Sequence, residues 1–442
     1  MEYIEREIDK RLIEWRDSNN RMPLLIRGAR QVGKTSSVRH LGESFEYYVE
    51  IDLNEHRELH ELFSQMLSPQ EICLQISYSV NKPIEMGKTL LFIDEIQACP
   101  EAINKLRYFY EQYPELHLIA AGSLLEFVLA DLPSFGVGRI RSLFMYPFSF
   151  KEFLCANGDD LLISAYQNAS PERPLNKVVH DKLLHRFSSF ILMGGMPKVV
   201  QEYIETKDLR KCQLILNDLV VSYKDDFKKY RKRISEERLS TVLESVARQH
   251  SGKFVYSNVH DDLSLSQVKL TLELLIKAGL VYPIVHSAAN GIPLGAETNE
   301  RYQRMALFDT GVLLRMLGLN LAELFVQGIE ILINKGSVAE IFVANELVKN
   351  SSCYEPSRLY CWHREKKDSQ AEVDFVIQKG YDIIPIEVKS GTKGSMQSLR
   401  IFMEEKKSQY GIRTSLENFS TYGNIKVYPL YAIGDLIREN YC

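Results

Sequence analysis

Short apolar runs punctuate the first third of the chain. "PLLI" at 23–26, "FEYYVEIDLNE" at 45–55, "LLFI" at 90–93 and "LHLIAAGS" at 116–123 each read as a strand, and "GVGRIRSLFMYPFSFKEFL" supplies a fifth after Arg139 and Arg141. Continuous apolar strands alternating with helical stretches predict a parallel sheet covered on both faces. Residues 151–235 read as helices around a glycine-rich turn, "LMGGMPKVV". From 236 the rhythm changes to a helix, a short strand-like piece, and then two helices joined by a tight polar turn in "SNVHDDLSLSQVKLTLELLIKAG". Ser264 or Ser266 caps the second, which ends at Gly279, and the strand "LVYPIVH" follows. Helix-turn-helix plus strand is the grammar of a winged helix.

Two further apolar runs, "AEVDFVIQK" and "DIIPIEVK", flank Gly380-Tyr381, a pair suited to a tight hairpin turn. Pairing through that loop sets Asp374 opposite Glu387 and Glu372 opposite Lys389. Val373, Phe375 and Ile377 then share an apolar face with Ile384, Ile386 and Val388. Like charges directly across a ladder repel by a few tenths to about 1 kcal/mol, and a cation between Asp374 and Glu387 would remove that cost. Hard oxygen ligands suit an ion of the Mg2+ class, and Lys389 beside them would stabilise developing phosphoryl charge or position a water.

At 442 residues the chain is too long for one compact core, so several domains are expected. No uninterrupted apolar stretch reaches membrane-spanning length, since "LHLIAAGSLLEFVLADL" is broken by His117, Ser123 and Glu126. The charged start "MEYIEREIDKRL" lacks a secretory apolar core. Seven cysteines without CxxC spacing point to reduced thiols, and the expected location is cytoplasmic. A net charge of −4 supplies no overall attraction to nucleic acid, so such binding needs a local patch. "YKDDFKKYRKR" holds Lys224, Lys228, Lys229, Arg231, Lys232 and Arg233 against Asp225 and Asp226, and taken alone reads as a solvated helix face. His250, His260 and His286 read as ordinary polar residues, since no metal spacing joins them.

The densest chemistry follows the first strand. Gly28-Ala29-Arg30-Gln31-Val32-Gly33-Lys34-Thr35 is a full G-x-x-x-x-G-K-T between strand and helix, with Ser36 next. Its glycines let the backbone close around phosphates with amides pointing inward. Lys34 would reach the β- and γ-phosphates of ATP, Thr35 would ligate Mg2+, and the helix offers its positive end. The "LLFI" strand ends in Asp94 and Glu95, the first suited to Mg2+ contact and the second to acting as general base on the attacking water. The strand-like run at 45–55 lies between the two motifs in sequence, the pattern of P-loop ATPases with a catalytic glutamate rather than of kinases. Ser123, at the end of the fourth strand, stands where a polar residue senses the γ-phosphate, or caps a helix. Arg139 is the preferred arginine for transition-state charge, in its own site or a neighbour's.

"RGARQVGKT", "LFIDEIQ", "AGSLLEFVL", "GRIRSLFMYPFSFKEFL", "GGMPKVV" and "YKDDFKKY" occur in this order, and in this combination the chain resembles prokaryotic AAA-type P-loop ATPases with a C-terminal region of unknown function. The resemblance implies ATP binding and hydrolysis; "AAGSLL" departs from the Thr-Gly-Ser-Ser expected there, at Ala121. Asp374, twelve residues, then Glu387-x-Lys389 looks like the PD-(D/E)XK nuclease fold, with Glu340 as the acid expected on a preceding helix. The set is either catalytic or retired and used for binding. The expected architecture is α/β and multidomain: an AAA-type P-loop ATPase domain of the catalytic-glutamate class with a parallel sheet (1–150), a helical lid or connector (151–235), a winged helix (236–318) and a C-terminal α/β restriction-endonuclease-like domain (319–442). The winged helix is structural or reads DNA, its second helix offering only Lys269 and Lys277 as cations beside Glu273. Two functions follow: an ATP-dependent protein acting on nucleic acid with a Mg2+-dependent nuclease, or an ATP-driven signalling or scaffolding switch whose nuclease-like face binds a protein partner or another copy of the chain.

Overall fold

The computed structural model describes residues 3–122, 125–131, 138–226, 234–250, 252–328, 337–365, 371–389 and 396–438. Two compact units emerge, Met1–Tyr146 with Ser352–Pro356, and Pro147–Ser351 with Ser357–Cys442.

The first unit is built on five parallel strands: β1 (Leu24–Arg27), β2 (Tyr47–Asp52), β3 (Thr89–Asp94), β4 (His117–Ala121) and β5 (Arg141–Phe144). Their order across the sheet is β2-β3-β4-β1-β5. The strand interposed in sequence, β2, is thus an edge strand, and β4 is the one that separates β1 from β3 in space. Every residue of β3 and β4 is buried, as expected of a sheet with helices on both faces. Val49, Ile51, Leu91, Ile93, Leu118 and Ala120 pack with Ile72, Ile103 and Phe109 of the flanking helices. Because the strands are parallel, the segments after β1, β3 and β4 all leave from one edge, where open α/β sheets place their ligands.

In the second unit, residues 150–226 are helical, as expected, with helices Phe150–Ala156, Asp160–Gln167, Lys177–Met193, Pro197–Thr206 and Leu209–Asp226. Between Glu236–Arg248 and Leu265–Lys277, where two helices joined by a turn were expected at 257–279, there is a single short 3-10 turn, Tyr256–Asn258, before one helix. Ser264 caps that helix: its side chain accepts the Gln267 amide at 3.3 Å, and Gln267 Oε1 accepts the Ser264 amide at 2.9 Å. The strands β6 (Val281–Ser287), β7 (Thr298–Leu307), β8 (Leu359–His363), β9 (Glu372–Lys379), β10 (Asp382–Val388), β11 (Gly411–Ser415), β12 (Ser420–Tyr422) and β13 (Ile425–Pro429) form one sheet, ordered β12-β13-β11-β10-β9-β8-β6-β7. It runs across the 318/319 boundary expected from sequence. β6 is an interior strand, pairing with β7 on one side and in parallel with β8 on the other (Ile284 opposite Leu359), so its backbone groups are satisfied by the C-terminal region.

The β9–β10 hairpin turns at Gly380 (φ 59°) and Tyr381 with the expected register, Asp382 opposite Lys379 and Ile386 opposite Phe375. The apolar face departs from expectation at one point. Against β8, Tyr360 faces Val376 but Trp362 faces Val373, so β9 carries one extra residue around Asp374. The period of two breaks at that bulge, and Val373 packs with Val376, Trp362 and Phe402 instead of extending the row of Phe375 and Ile377.

Candidate functional site

The loop after β1 is shaped by close backbone approach. Gly28 has φ 144°, and a Cβ there would lie 2.1 Å from the Met145 carbonyl oxygen, so only glycine fits. Gln31 (φ 65°) and Gly33 (φ 102°) complete the left-handed turns that lead into helix Lys34–Gly42. No side chain caps that helix, which suits its first amides to an anion. Ala29 and Val32 are buried beneath the loop, Arg30 is half-buried and Ser36 exposed. A residue outside the motif braces it: Arg6, itself buried, donates from Nη1 to the Val32 carbonyl (3.1 Å) and from Nη2 to that of Tyr146 (2.8 Å).

Lys34 is 8% exposed, and its Nζ donates to the Gly28 and Ala29 carbonyls, both at 2.9 Å. Burial pushes its pKa down to about 8, against the pull of Glu95 and Asp94. Thr35 Oγ1 donates to Asp94 Oδ2 at 2.7 Å, while Asp94 Oδ1 accepts the Glu95 amide at 2.9 Å. Burial raises the Asp94 pKa, and the hydrogen bond from Thr35 opposes this. Glu95 sits in the left-handed region (φ 49°, ψ 39°), a conformation that costs a non-glycine residue on the order of 1 kcal/mol and clusters at functional sites. Its Oε2 accepts from Asn54 Nδ2 (3.2 Å) and Gln97 Nε2 (2.5 Å). Asn54 and Gln97 carry no motif of their own; their position just beyond β2 and β3 is the only signal that could have found them.

Arg139 is not near this loop. It precedes β5, whose first residue, Arg141, lies opposite Leu24 at the start of β1, whereas the phosphate loop follows the end of β1. Four residues of strand, about 13 Å, separate the two edges of the sheet. Arg139 pairs there with Glu111 and is half-exposed, so service to its own chain's phosphate is excluded by the direction of the strands. Ser123 and the basic residues Lys228, Lys229, Arg231, Lys232 and Arg233 lie outside the described residues.

The second unit gathers Asp374, Glu387, Lys389 and Glu340 at one place. Asp374 Oδ2 accepts the Val388 amide at 2.8 Å, and Lys389 Nζ meets Glu387 Oε1 at 2.6 Å. Helix Ser337–Lys349 brings in Glu340. At the centre stands Arg304, from β7. Its Nη1 donates to Glu340 Oε2 (2.8 Å) and Asp374 Oδ1 (3.3 Å), its Nη2 donates to the Asp374 carbonyl, and its guanidinium lies 5.5 Å from the centre of the Phe375 ring. Burial opposes the charge on Arg304, but Glu340 and Asp374 outweigh it and hold the guanidinium protonated. Burial, with Asp374 adding repulsion, raises Glu387 to about 7 and Glu340 to about 8. A cation was expected between Asp374 and Glu387; Arg304 instead bridges Asp374 and Glu340, while Glu387 pairs with Lys389. Arg304 escapes a reading of the sequence because β7 is seventy residues from Asp374 and follows no pattern that points there.

The donor set also fits a divalent ion in part. All the acids are hard oxygen donors, and Glu387 Oε2 is buried without a hydrogen-bond partner, but Arg304 Nη1 stands between Glu340 and Asp374. A third cluster joins His286, expected to be isolated, with His363 and Glu365 at metal-ligand spacing. The rings stack at 4.0 Å, but His286 Nδ1 accepts the His363 amide at 3.2 Å. The neutral ring then carries its proton on Nε2, 3.3 Å from Glu365 Oε1 but outside hydrogen-bond geometry, so neither ring nitrogen has a lone pair free for a metal.

Residues 20–154 match the family described as AAA domain. This part of the chain is an AAA-type ATPase domain. Residues 184–323 and 335–433 match two families each described as a domain of unknown function, DUF8612 and DUF4143. No curated protein matches the chain. Among solved structures, similarity extends to the Aeropyrum pernix Orc1 protein in complex with DNA (14% identity, 72% of this chain and 93% of that one, TM-score 0.27). It extends also to the Thermotoga maritima RuvB Holliday junction branch migration motor (15%, 72% and 96%, 0.28) and the S. cerevisiae Hsp104–ADP complex (13%, 63% and 38%, 0.30). Scores this low decide nothing about function. Among the described residues no helix is long and apolar enough to cross a membrane.

Proposed function

We propose that the chain binds ATP with Mg2+ at the loop after β1 and hydrolyses it. The observation that carries this reading is the contact of Thr35 Oγ1 with Asp94 Oδ2 at 2.7 Å, which joins the two motifs at one edge of the sheet. Lys34 exchanges the Gly28 and Ala29 carbonyls for the β- and γ-phosphates, and the helix amides take the remaining charge. Thr35 and Asp94 would hold magnesium, which would supply positive charge against the triphosphate. Glu95 takes a proton from the water whose oxygen bonds to the γ-phosphorus as the bond to the β,γ-bridging oxygen breaks. The amides of Asn54 and Gln97 hold its carboxylate in place. Steady-state phosphate release from wild type, Lys34→Ala and Glu95→Gln tests the assignment; equal turnover in all three refutes it.

For the second unit, the grouping of Asp374, Glu387, Lys389 and Glu340 supports Mg2+-dependent cleavage of a phosphodiester, with nucleic acid as substrate. A specific observation favours the alternative, a partner-binding face under ATP control. The exposed side of helix Leu265–Lys277 presents Leu265 and Leu270 beside Lys269, Glu273 and Lys277, a surface closer to a protein contact than to a phosphate tracker. Divalent-dependent nicking of DNA that vanishes in Asp374→Ala and Lys389→Ala selects the first reading; its absence in wild type with Mg2+, Mn2+ and ATP selects the second.

A further inference from the structure

We propose that Arg304 is a built-in cation that closes the Asp374–Glu387–Glu340 site, and that the site takes up Mg2+ or Mn2+ only when this side chain withdraws. The inference rests on reading those acids as cation ligands, but not on nuclease activity.

Two features of the geometry point the same way. The guanidinium is shared between the two carboxylates that a divalent ion would need, at 2.8 Å from Glu340 and 3.3 Å from Asp374, so ion and arginine compete for the same oxygens. Glu387, next to Val388 whose amide donates to Asp374, has one oxygen on Lys389 and the other, Oε2, buried without a partner. Arg304 covers two of the acids and leaves the third with an unmet acceptor, the lone pair a divalent ion would use. A phosphodiester approaching the site offers Arg304 bidentate oxygens in exchange for the carboxylates, so an anionic substrate and the metal would enter together.

The test is Mn2+ uptake by full-length protein without nucleotide, followed by the loss of the free-ion electron paramagnetic resonance signal. The proteins are wild type, Arg304→Gln, Arg304→Ala, and each carrying Asp374→Asn, with circular dichroism to establish folding. Wild type is expected to show no uptake that Asp374→Asn removes. The Arg304 variants are expected to take up one Mn2+ per chain, at least about tenfold more tightly, and to lose it with Asp374→Asn. If wild type already takes up Mn2+ in a manner abolished by Asp374→Asn, the closure is wrong while the cation site stands, and this arm needs no Arg304 variant to fold. If folded Arg304 variants take up none, the reading of these acids as cation ligands fails with it.

Discussion

Lys34 in the first unit and Arg304 in the second are both buried cations, and they are held in opposite ways. Lys34 rests on two neutral carbonyls in a pocket that depresses its pKa to about 8. Arg304 rests on two carboxylates and a carbonyl that together stabilise its charge. A desolvated charge on neutral partners gains by meeting a phosphate, so Lys34 is poised for a ligand. A neutralised charge loses its partners by moving, so Arg304 holds its site shut. The difference lies in what surrounds each cation, not in the cation itself.

The comparison breaks first at Lys34. Lys34→Ala should lower ATP turnover by on the order of a hundredfold or more, measured as phosphate release, because the phosphates lose their charged donor. Glu95→Gln keeps the ATP site's shape and should lower turnover by about a hundredfold while ATP still binds. At the other cation, Arg304→Met should cost roughly 3–5 kcal/mol in denaturant unfolding at pH 8, since it strands buried acids. The cost should shrink towards pH 5, because Glu340 and Glu387, with folded values of about 8 and 7, are then protonated and need no partner. A smaller effect sharpens the contrast. Near pH 8, Lys34 is partly neutral in the free protein and charged against phosphate, so ATP binding should take up a fraction of a proton and weaken as pH rises towards 10. Titration calorimetry in buffers of different ionisation enthalpy reads this directly; proton release would contradict it. Asn54→Ala, which removes one donor from Glu95, should change turnover by only a few-fold.

Local spacing makes part of this legible. The phosphate loop is written in eight consecutive residues, and Gly380 and Tyr381 give the hairpin register as far as Phe375 opposite Ile386. What escapes is long-range. Arg304 and His363 arrive from strands whose neighbours are set by sheet order, and no local period encodes which strand lies beside which. The bulge in β9 adds one residue against β8, a change that hydrophobic alternation alone does not announce. Arg139 fails as a cis arginine for a simpler reason: its strand begins at the sheet edge away from the phosphates, and direction, not proximity in sequence, decides which end of a parallel strand meets the ligand.

The central claim is that a triphosphate seats in the loop between β1 and helix Lys34–Gly42. Calorimetric titration of folded protein with ATP and magnesium tests it most directly. One nucleotide per chain for wild type and for Glu95→Gln, with none for Lys34→Ala, is the predicted result. Wild type that shows no binding, or Lys34→Ala that binds as wild type does, would contradict it.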